Sequence, residues 1–543
     1  MATTARAAES GPSLKSAETV YSALAEAGRA EPGRTFLRDG SERTTYGALL
    51  AESDAVAARL AGLGVGAGDR VVLWLPNGLP WAASFFACAR LGAVAVMAGT
   101  RLRAVDLHHI LENSGASTLV FSPRFLGIDY DAMVEAILRE RVSSRPAKLR
   151  HLLATAPSTV PGATRLERLP EGAPPPPFDD DRAPAVVCYT SGTTGLPKGC
   201  VHSHRGLVRN AAIAARLTGL TRWDRVLCPV PFAHVFGFHM GVLQSTLSRA
   251  TLVNGEPYDA ERLLDLAESE AATVLYAVPA MAHEVVALQA RSPRDLSALR
   301  TTLVAGAPVS AKLRRAVMAA DGGLGSAISV VYGCTEAPTL TQVLPGAPLS
   351  QRLATVGNPT PGVELRICRE GTEEALPSGE TGEILSRGYN RMLGYLDDRE
   401  ATTARMRGEW FVTGDLGWVD GWGFLHFVGR ASEMFTVGGF NAYPREIEAQ
   451  LEEMDGLVMA AITGVPDARL GSVPMAWVTV EDPALGEQEI LAWARDHLAS
   501  YKRPRHVRVV GTLPRTPSGK LSRVKLERLA RRALPSLDWE AER

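Results

Sequence analysis

One pattern constrains the fold more than any other: strand-length apolar runs alternate with stretches of helical periodicity through most of the chain. From about Glu18 to Arg150, helical ALLAESDAVAARLAGLG leads to apolar VVLWLP, and helical WAASFFACARLGAV leads to VAVMAG. Strands separated by helices pair in parallel, so the pattern predicts an α/β sheet with helices packed on its faces. A second set, AVVCYTSG, RVLCPVP, ATVLYAVPA, TTLVAGAP and AISVVYG, predicts a second layer of the same kind. Between the two sets, Ala156 to Pro184 carries eight prolines and is expected to form a surface connection between lobes. From Gly357 to Val428 the turn signals NPTPG, LPSG and DGWG break up short alternating segments, as antiparallel β structure requires. Beyond Gly429 the alternation resumes and closes on a basic helical tail. The expected organisation is an α/β chain with a large N-terminal domain over 1–429, a β-rich subdomain at about 357–429, and a small α+β C-terminal domain over 430–543.

Composition excludes several classes. The 543 residues have a formal net charge of −1, so no overall field draws the chain to nucleic acid or to an anionic membrane. Six cysteines occur without a C-x-x-C pair, which disfavours a disulfide framework. The first residues lack the apolar core of a secretory signal. The most apolar stretch, Trp81 to Thr100, is interrupted by Arg90 and Gly92 and reads as helix, turn and buried strand, with no membrane span. A cytoplasmic protein is expected. The glycines from Gly62 to Gly68 precede a strand where a dinucleotide fingerprint would follow one, so they read as a helix stop and turn. His202 with His204, and His234 with His239, lack the further ligands of a zinc site.

The segment with most chemistry is TSGTTGLPKG, from Thr190 to Gly199. Its glycines permit close backbone approach, its hydroxyls donate hydrogen bonds and Lys198 supplies a point charge, a combination suited to phosphate. It is not a Walker A loop, which would need Gly at Pro197 and Ser or Thr at Gly199. In Tyr332-Gly-Cys-Thr-Glu336 a turn after a strand presents Thr335 and Glu336, the latter suited to Mg²⁺. Asp415, after WFVTG, is placed to accept both hydroxyls of a ribose.

These segments, with PFAHVFG, VAGAPV, FVTGDLG, GRASEM and PRTPSGK in order, resemble the adenylate-forming (AMP-binding) superfamily, in its acyl-CoA synthetase branch. The resemblance implies ATP, Mg²⁺ and coenzyme A, with AMP as product and a small-molecule carboxylic acid as substrate. It implies nucleotide binding by Thr190, Ser191, Gly192, Thr193, Thr194, Gly195, Lys198, Gly306, Ala307, Pro308, Tyr332, Gly333, Thr335, Asp415 and Arg430. Glu336 and Thr194 would serve the metal. Lys520 would bridge the acyl carboxylate and the α-phosphate during adenylation. The C-terminal domain would be mobile, turning at hinge Ser432 to bring in Gly438 and Gly439 for coenzyme A. His234 would stand near the acyl group and counts among the catalytic candidates. The acyl pocket would comprise His234, Val278, Met281, Val304, Gly306, Cys334 and Pro338, a small and apolar set suited to a bulky hydrophobic acid.

The chain lacks the Phe-Asp-x-Ser segment that holds an amino acid's ammonium, which disfavours a free amino acid as substrate. It departs from the family pattern at Ser432, where Asp or Lys is usual, and at Gly99, where an Asn is usual. These departures leave open an enzyme that performs mainly the thioester half-reaction, and two further alternatives stand beside the ligase: loading of a carrier protein, and a silent nucleotide-binding protein. Monomer and homodimer are both open.

Overall fold

The computed structural model describes residues 18–139, 148–190, 197–481, 484–515, 521–535 and 537. Two sheets form the large lobe. The eight-stranded sheet runs, edge to edge, through Gly394–Tyr395, Gly199–Ser203, Pro184–Tyr189, Val94–Met97, Arg70–Trp74, Thr118–Phe121, His151–Ala154 and Ala163–Arg165. From Pro184–Tyr189 to Ala163–Arg165 its strands are parallel, and the two at the opposite edge are antiparallel. The nine-stranded sheet has its parallel centre in Thr251–Asn254, Arg225–Cys228, Val274–Ala277, Thr301–Ala305 and Ala327–Tyr332.

Alternation along the strands divides the core into layers, because successive side chains take opposite faces. Val71 and Leu73 join Val226, Leu252 and Val274 in the cluster between the sheets, whereas Val72 and Trp74 pack outward with Leu119 and Phe121. A third cluster covers the outer face of the nine-stranded sheet with the helices Ala260–Ser269, Pro279–Arg291 and Ala311–Met318. The helix Leu79–Leu91 is sandwiched between the sheets and apolar almost all round, as such a position demands. It ends at Gly92 in the left-handed region, where a Cβ would stand 2.5 Å from the Phe178 ring.

The proline-rich stretch does run over the surface, but it does not join lobes. It connects His151–Ala154 to Pro184–Tyr189 within one sheet and adds the edge strand Ala163–Arg165 on the way. Isolated side-chain polarity gave no hint that the flanking strands share a sheet.

Antiparallel structure follows as anticipated: Val363–Cys368, Gly382–Gly388, Met406–Arg407, Trp410–Val419 and Leu425–Arg430 make one five-stranded sheet. After the short turn Ala431–Glu433, a separate five-stranded sheet begins at Phe435–Val437. Its long pair, Leu457–Asp467 and Gly471–Val480, is flanked by the helices Pro444–Leu451, Glu487–His497 and Arg523–Ala533. The chain is thus mixed α/β with a large N-terminal and a smaller C-terminal domain. No described helix is long and apolar enough to cross a membrane.

Candidate active site

A cavity of about 1360 Å³ lies between the large lobe and the C-terminal sheet. It opens at the carboxyl ends of the parallel strands, where open α/β sheets place their ligands. Gly306, Ala307 and Pro308 follow Thr301–Ala305, and Tyr332 to Glu336 follow the neighbouring strand; all line the cavity. Gly333 is required there, because a Cβ would stand 2.7 Å from the Thr339 nitrogen across the closed turn.

On the antiparallel sheet, Asp415 lies directly opposite Arg430 in the strand register, which explains why residues fifteen apart in sequence meet. The Arg430 Nε stands 3.3 Å from Asp415 Oδ1, and the Tyr332 hydroxyl donates to Asp415 Oδ2 at 2.8 Å. Burial pushes the Asp415 carboxyl up, against the pull of Arg430 and the Tyr332 hydroxyl. Its Oδ1 is buried and takes no hydrogen bond among the described residues. That lone pair, beside a guanidinium fork, fits a hydroxyl donor such as that of a ribose.

Lys198 and Thr190 form the stem of the glycine-rich loop, which connects the antiparallel strands Pro184–Tyr189 and Gly199–Ser203. The Thr190 N–H donates to the Lys198 carbonyl at 2.9 Å and closes the stem. The Lys198 ammonium sits 3.5 Å from Asp398 and 5.4 Å from the centre of the Tyr395 ring. Ser191, Gly192, Thr193, Thr194 and Gly195 lie outside the described residues, as does Lys520. The chain on either side of Lys520 is placed: Arg515 and Leu521 bridge to each other and both line the cavity.

Glu336 is 8% exposed, lines the cavity and accepts from the Tyr395 hydroxyl at 2.8 Å through Oε1. Its Oε2 takes no hydrogen bond among the described residues. No group of three or more His, Cys, Asp or Glu among those residues could cage a metal. A lone carboxylate suits Mg²⁺, which keeps several waters and takes most other ligands from substrate phosphates.

The remaining candidates divide. Val278, Cys334 and Ser432 line the cavity; His234, Met281, Val304, Pro338, Gly438 and Gly439 do not. Val304 alternates onto the outer face of its strand and packs with Leu275 and Ile328, and Met281 packs against the same cluster. Pro338 is buried beyond the turn, its carbonyl accepting from Asn390. Gly438 and Gly439 form an exposed turn between Phe435–Val437 and Phe440–Ala442. His234 begins the segment entering the π-helix Phe236–Leu243, and a Cβ on Gly99 would stand 4.0 Å from its Nε2. The Gly99 loop is held without the usual amide: the Trp74 indole donates to the Gly99 carbonyl at 3.1 Å, and the Tyr130 hydroxyl donates to that of Thr100.

Sequence reading passed over Tyr395, Asp398, Arg405 and His283, and weighed His202 only as a zinc ligand. All but His202 line the cavity, and His202 bonds to the carbonyl of Thr335, which lines it. Their partners are remote in sequence: Tyr395 meets Glu336 across 59 positions and His202 meets Thr335 across 133. No local motif could have announced them.

Strand-end glycines, a nucleotide-sized cleft and this carboxylate–guanidinium pair together define an adenylate-forming enzyme. The AMP-binding enzyme family model matches residues 24–396, and the AMP-binding enzyme C-terminal domain model matches 446–520. The chain belongs to the AMP-binding enzyme family. It is 36% identical over 522 residues to a methyl-dioxo-octahydroindenyl propanoyl:CoA ligase of Mycobacterium tuberculosis, covering 94% of this chain and 99% of the relative. To a feruloyl-CoA synthase of Amycolatopsis it is 34% identical, covering 92% and 96%. A solved anthranilate CoA ligase in complex with anthranoyl-AMP superposes with a TM-score of 0.85 at 27% identity, covering 95% of this chain and 98% of that one.

Proposed function

We propose that the chain is an ATP-dependent acyl-CoA synthetase acting on a bulky hydrophobic carboxylic acid. The observation that carries this is the convergence of Lys198, Glu336, Asp415, Arg430 and both flanks of Lys520 on one cavity. The acid's carboxylate attacks the α-phosphorus of ATP, pyrophosphate leaves, and the acyl-AMP formed is a mixed anhydride. The thiol of coenzyme A then attacks the activated carbonyl and AMP departs. Asp415 and Arg430 hold the ribose, Lys198 and the glycine-rich loop hold phosphate, and Lys520 offsets the repulsion between two anionic reactants. Glu336 would hold Mg²⁺, which supplies neutralising charge to the ATP phosphates when bound.

We place the domain boundary at Arg430 and the pivot at Ser432. Arg515 and Leu521 lie on the cavity and the Gly438–Gly439 turn away from it, which supports an adenylating arrangement of the lobes. Lys312 supports this arrangement by donating to the Met454 and Leu457 carbonyls, and Arg315 pairs with Glu453 at 2.5 Å. Thioester formation then needs the C-terminal domain to turn. The mixture of Val278, Ala280, Ala307 and Cys334 at the cavity wall supports an apolar acid of some bulk, as does the indenyl propanoate in the relative's name. A cytoplasmic setting supplies ATP and keeps the six cysteines reduced.

The test is Lys520→Ala. Acid-dependent ATP–pyrophosphate exchange should fall by about 10²- to 10³-fold, the scale for losing one preorganised donor at a developing charge. Transfer from synthetic acyl-AMP to coenzyme A should persist. Unchanged exchange would remove Lys520 from the reaction, and thioester formed only on a carrier protein would replace coenzyme A as acceptor.

A further inference from the structure

We propose that His202 and Tyr395 are positioning residues that tie the Thr335–Glu336 turn to the strand following Lys198, and so fix the span between that cation and that carboxylate. The inference rests on the adenylation reading above and assigns the geometry of its phosphate end.

Lys198 immediately precedes Gly199–Ser203, the second strand of the eight-stranded sheet, and Tyr395 lies on the neighbouring edge strand opposite Cys200. The turn bearing Glu336 comes from the other sheet, after Ala327–Tyr332. Left to themselves, two sheets packed through an apolar layer leave such a span to side-chain packing, which is not directional. Directional ties are present. The His202 Nε2–H donates to the Thr335 carbonyl at 2.7 Å, and the Tyr395 hydroxyl donates to Glu336 Oε1 at 2.8 Å. The Met392 N–H, from the same edge, donates to the Glu336 carbonyl at 2.7 Å. Three bonds thus reach from one sheet edge to two consecutive residues of the other sheet.

Both side chains are more polar than packing alone would need. His202 is 2% exposed, beside the apolar cluster of Cys200, Tyr332 and Leu340. Burying an imidazole is unfavourable unless its hydrogen bond is made, and here that bond goes to the residue preceding Glu336. Tyr395 serves two partners at once: its ring faces the Lys198 ammonium while its hydroxyl takes up Oε1 of Glu336. Oε2 would be the atom that holds Mg²⁺.

The experiment compares the parent protein with Tyr395→Phe, His202→Leu and His202→Gln, in both half-reactions and in ATP binding. An ångström of drift between phosphate-binding groups costs on the order of 10²-fold. Exchange of pyrophosphate into ATP should therefore fall by about 10- to 100-fold in Tyr395→Phe and His202→Leu. Thioester formation from synthetic acyl-AMP, which involves neither pyrophosphate nor the ion, should lose at least tenfold less. Calorimetric titration with ATP, in Mg²⁺ and in EDTA, should show a smaller Mg²⁺-dependent gain in affinity for both variants. His202→Gln, whose amide can donate from nearly the same point, should recover most of the exchange rate. Variants indistinguishable from a normal parent, or losing both half-reactions alike, would overturn the inference and leave the ligase reading standing. Absence of exchange in the parent would remove the ligase reading and this inference with it.

Discussion

The two walls of the cavity are built on different principles. On the side proposed for the nucleotide, three charged groups are braced by other polar groups: Asp415 by Tyr332 and Arg430, Glu336 by Tyr395, Lys198 by Asp398. On the side proposed for the acid, Val278 and Ala280 offer only shape. Cys334 stands there too, its thiol pushed well above the ordinary range by burial and so neutral, no nucleophile at physiological pH. One wall specifies atoms and the other specifies volume. Removing a brace should therefore act on ATP and spare the acid. For Arg430→Ala the KM for ATP should rise by about 10- to 100-fold, the scale of one hydrogen bond to a charged group, with the KM for the acid moving far less. Initial rates with both substrates varied would check it, and a matching rise for the acid would mean the walls are not separate.

The converse change belongs to the other wall. Ala280 lies in the first turn of Pro279–Arg291 and lines the cavity. Ala280→Leu fills space without touching a charge, so kcat/KM should drop by about tenfold for the bulkiest acids accepted and much less for small ones, since a methylene or two in a pocket is worth about 1–3 kcal/mol. The KM for ATP should stay near the parent value. A panel of acids of graded size gives the answer, and an unchanged ranking would place the acid elsewhere.

This contrast also explains what was legible in the sequence. Alternating runs disclosed the parallel layers because period 2 and period 3.6 are imposed locally by backbone geometry. Turn motifs disclosed Gly333, Glu336 and Asp415 because a closed turn restricts residue type at neighbouring positions. Tyr395 and His202 stayed hidden because their roles depend on a contact between two sheets, and neither strand carries a signal of its partner. Val304 was misplaced for a related reason. Adjacent residues on a strand face opposite layers, and VAGAP does not by itself reveal which residue faces the cleft. The glycine-rich loop and Lys520, the most recognisable segments, fall outside the described residues.

The smallest effect expected is on stability, and it separates the buried polar atoms of the core from those of the cavity. His202, His204 and His239 are each at most 2% exposed. Burial holds their imidazoles down to about 4, about 4 and about 3 respectively. His204 accepts from the Val20 N–H at Nδ1, a bond that only the neutral ring can make. In the unfolded chain each would titrate near 6.5. Between that value and about pH 4 the unfolded state therefore binds protons that the folded state refuses, so stability falls as pH falls, by up to ~1.4 kcal/mol per pH unit for each ring. Buried Glu448 is shifted in the same direction for a different cause: burial alone would raise it, but Arg523 and Arg445 hold it below the usual carboxylate range. Its contribution is present above that range and is lost only in stronger acid, below the window from about pH 6.5 to 5 in which the histidines act. Melting temperatures across that window should decline for the parent and decline less steeply for His239→Met, which removes the most depressed ring and retains the packing volume. Parallel curves would mean that the imidazole of His239 accepts its proton in the folded state.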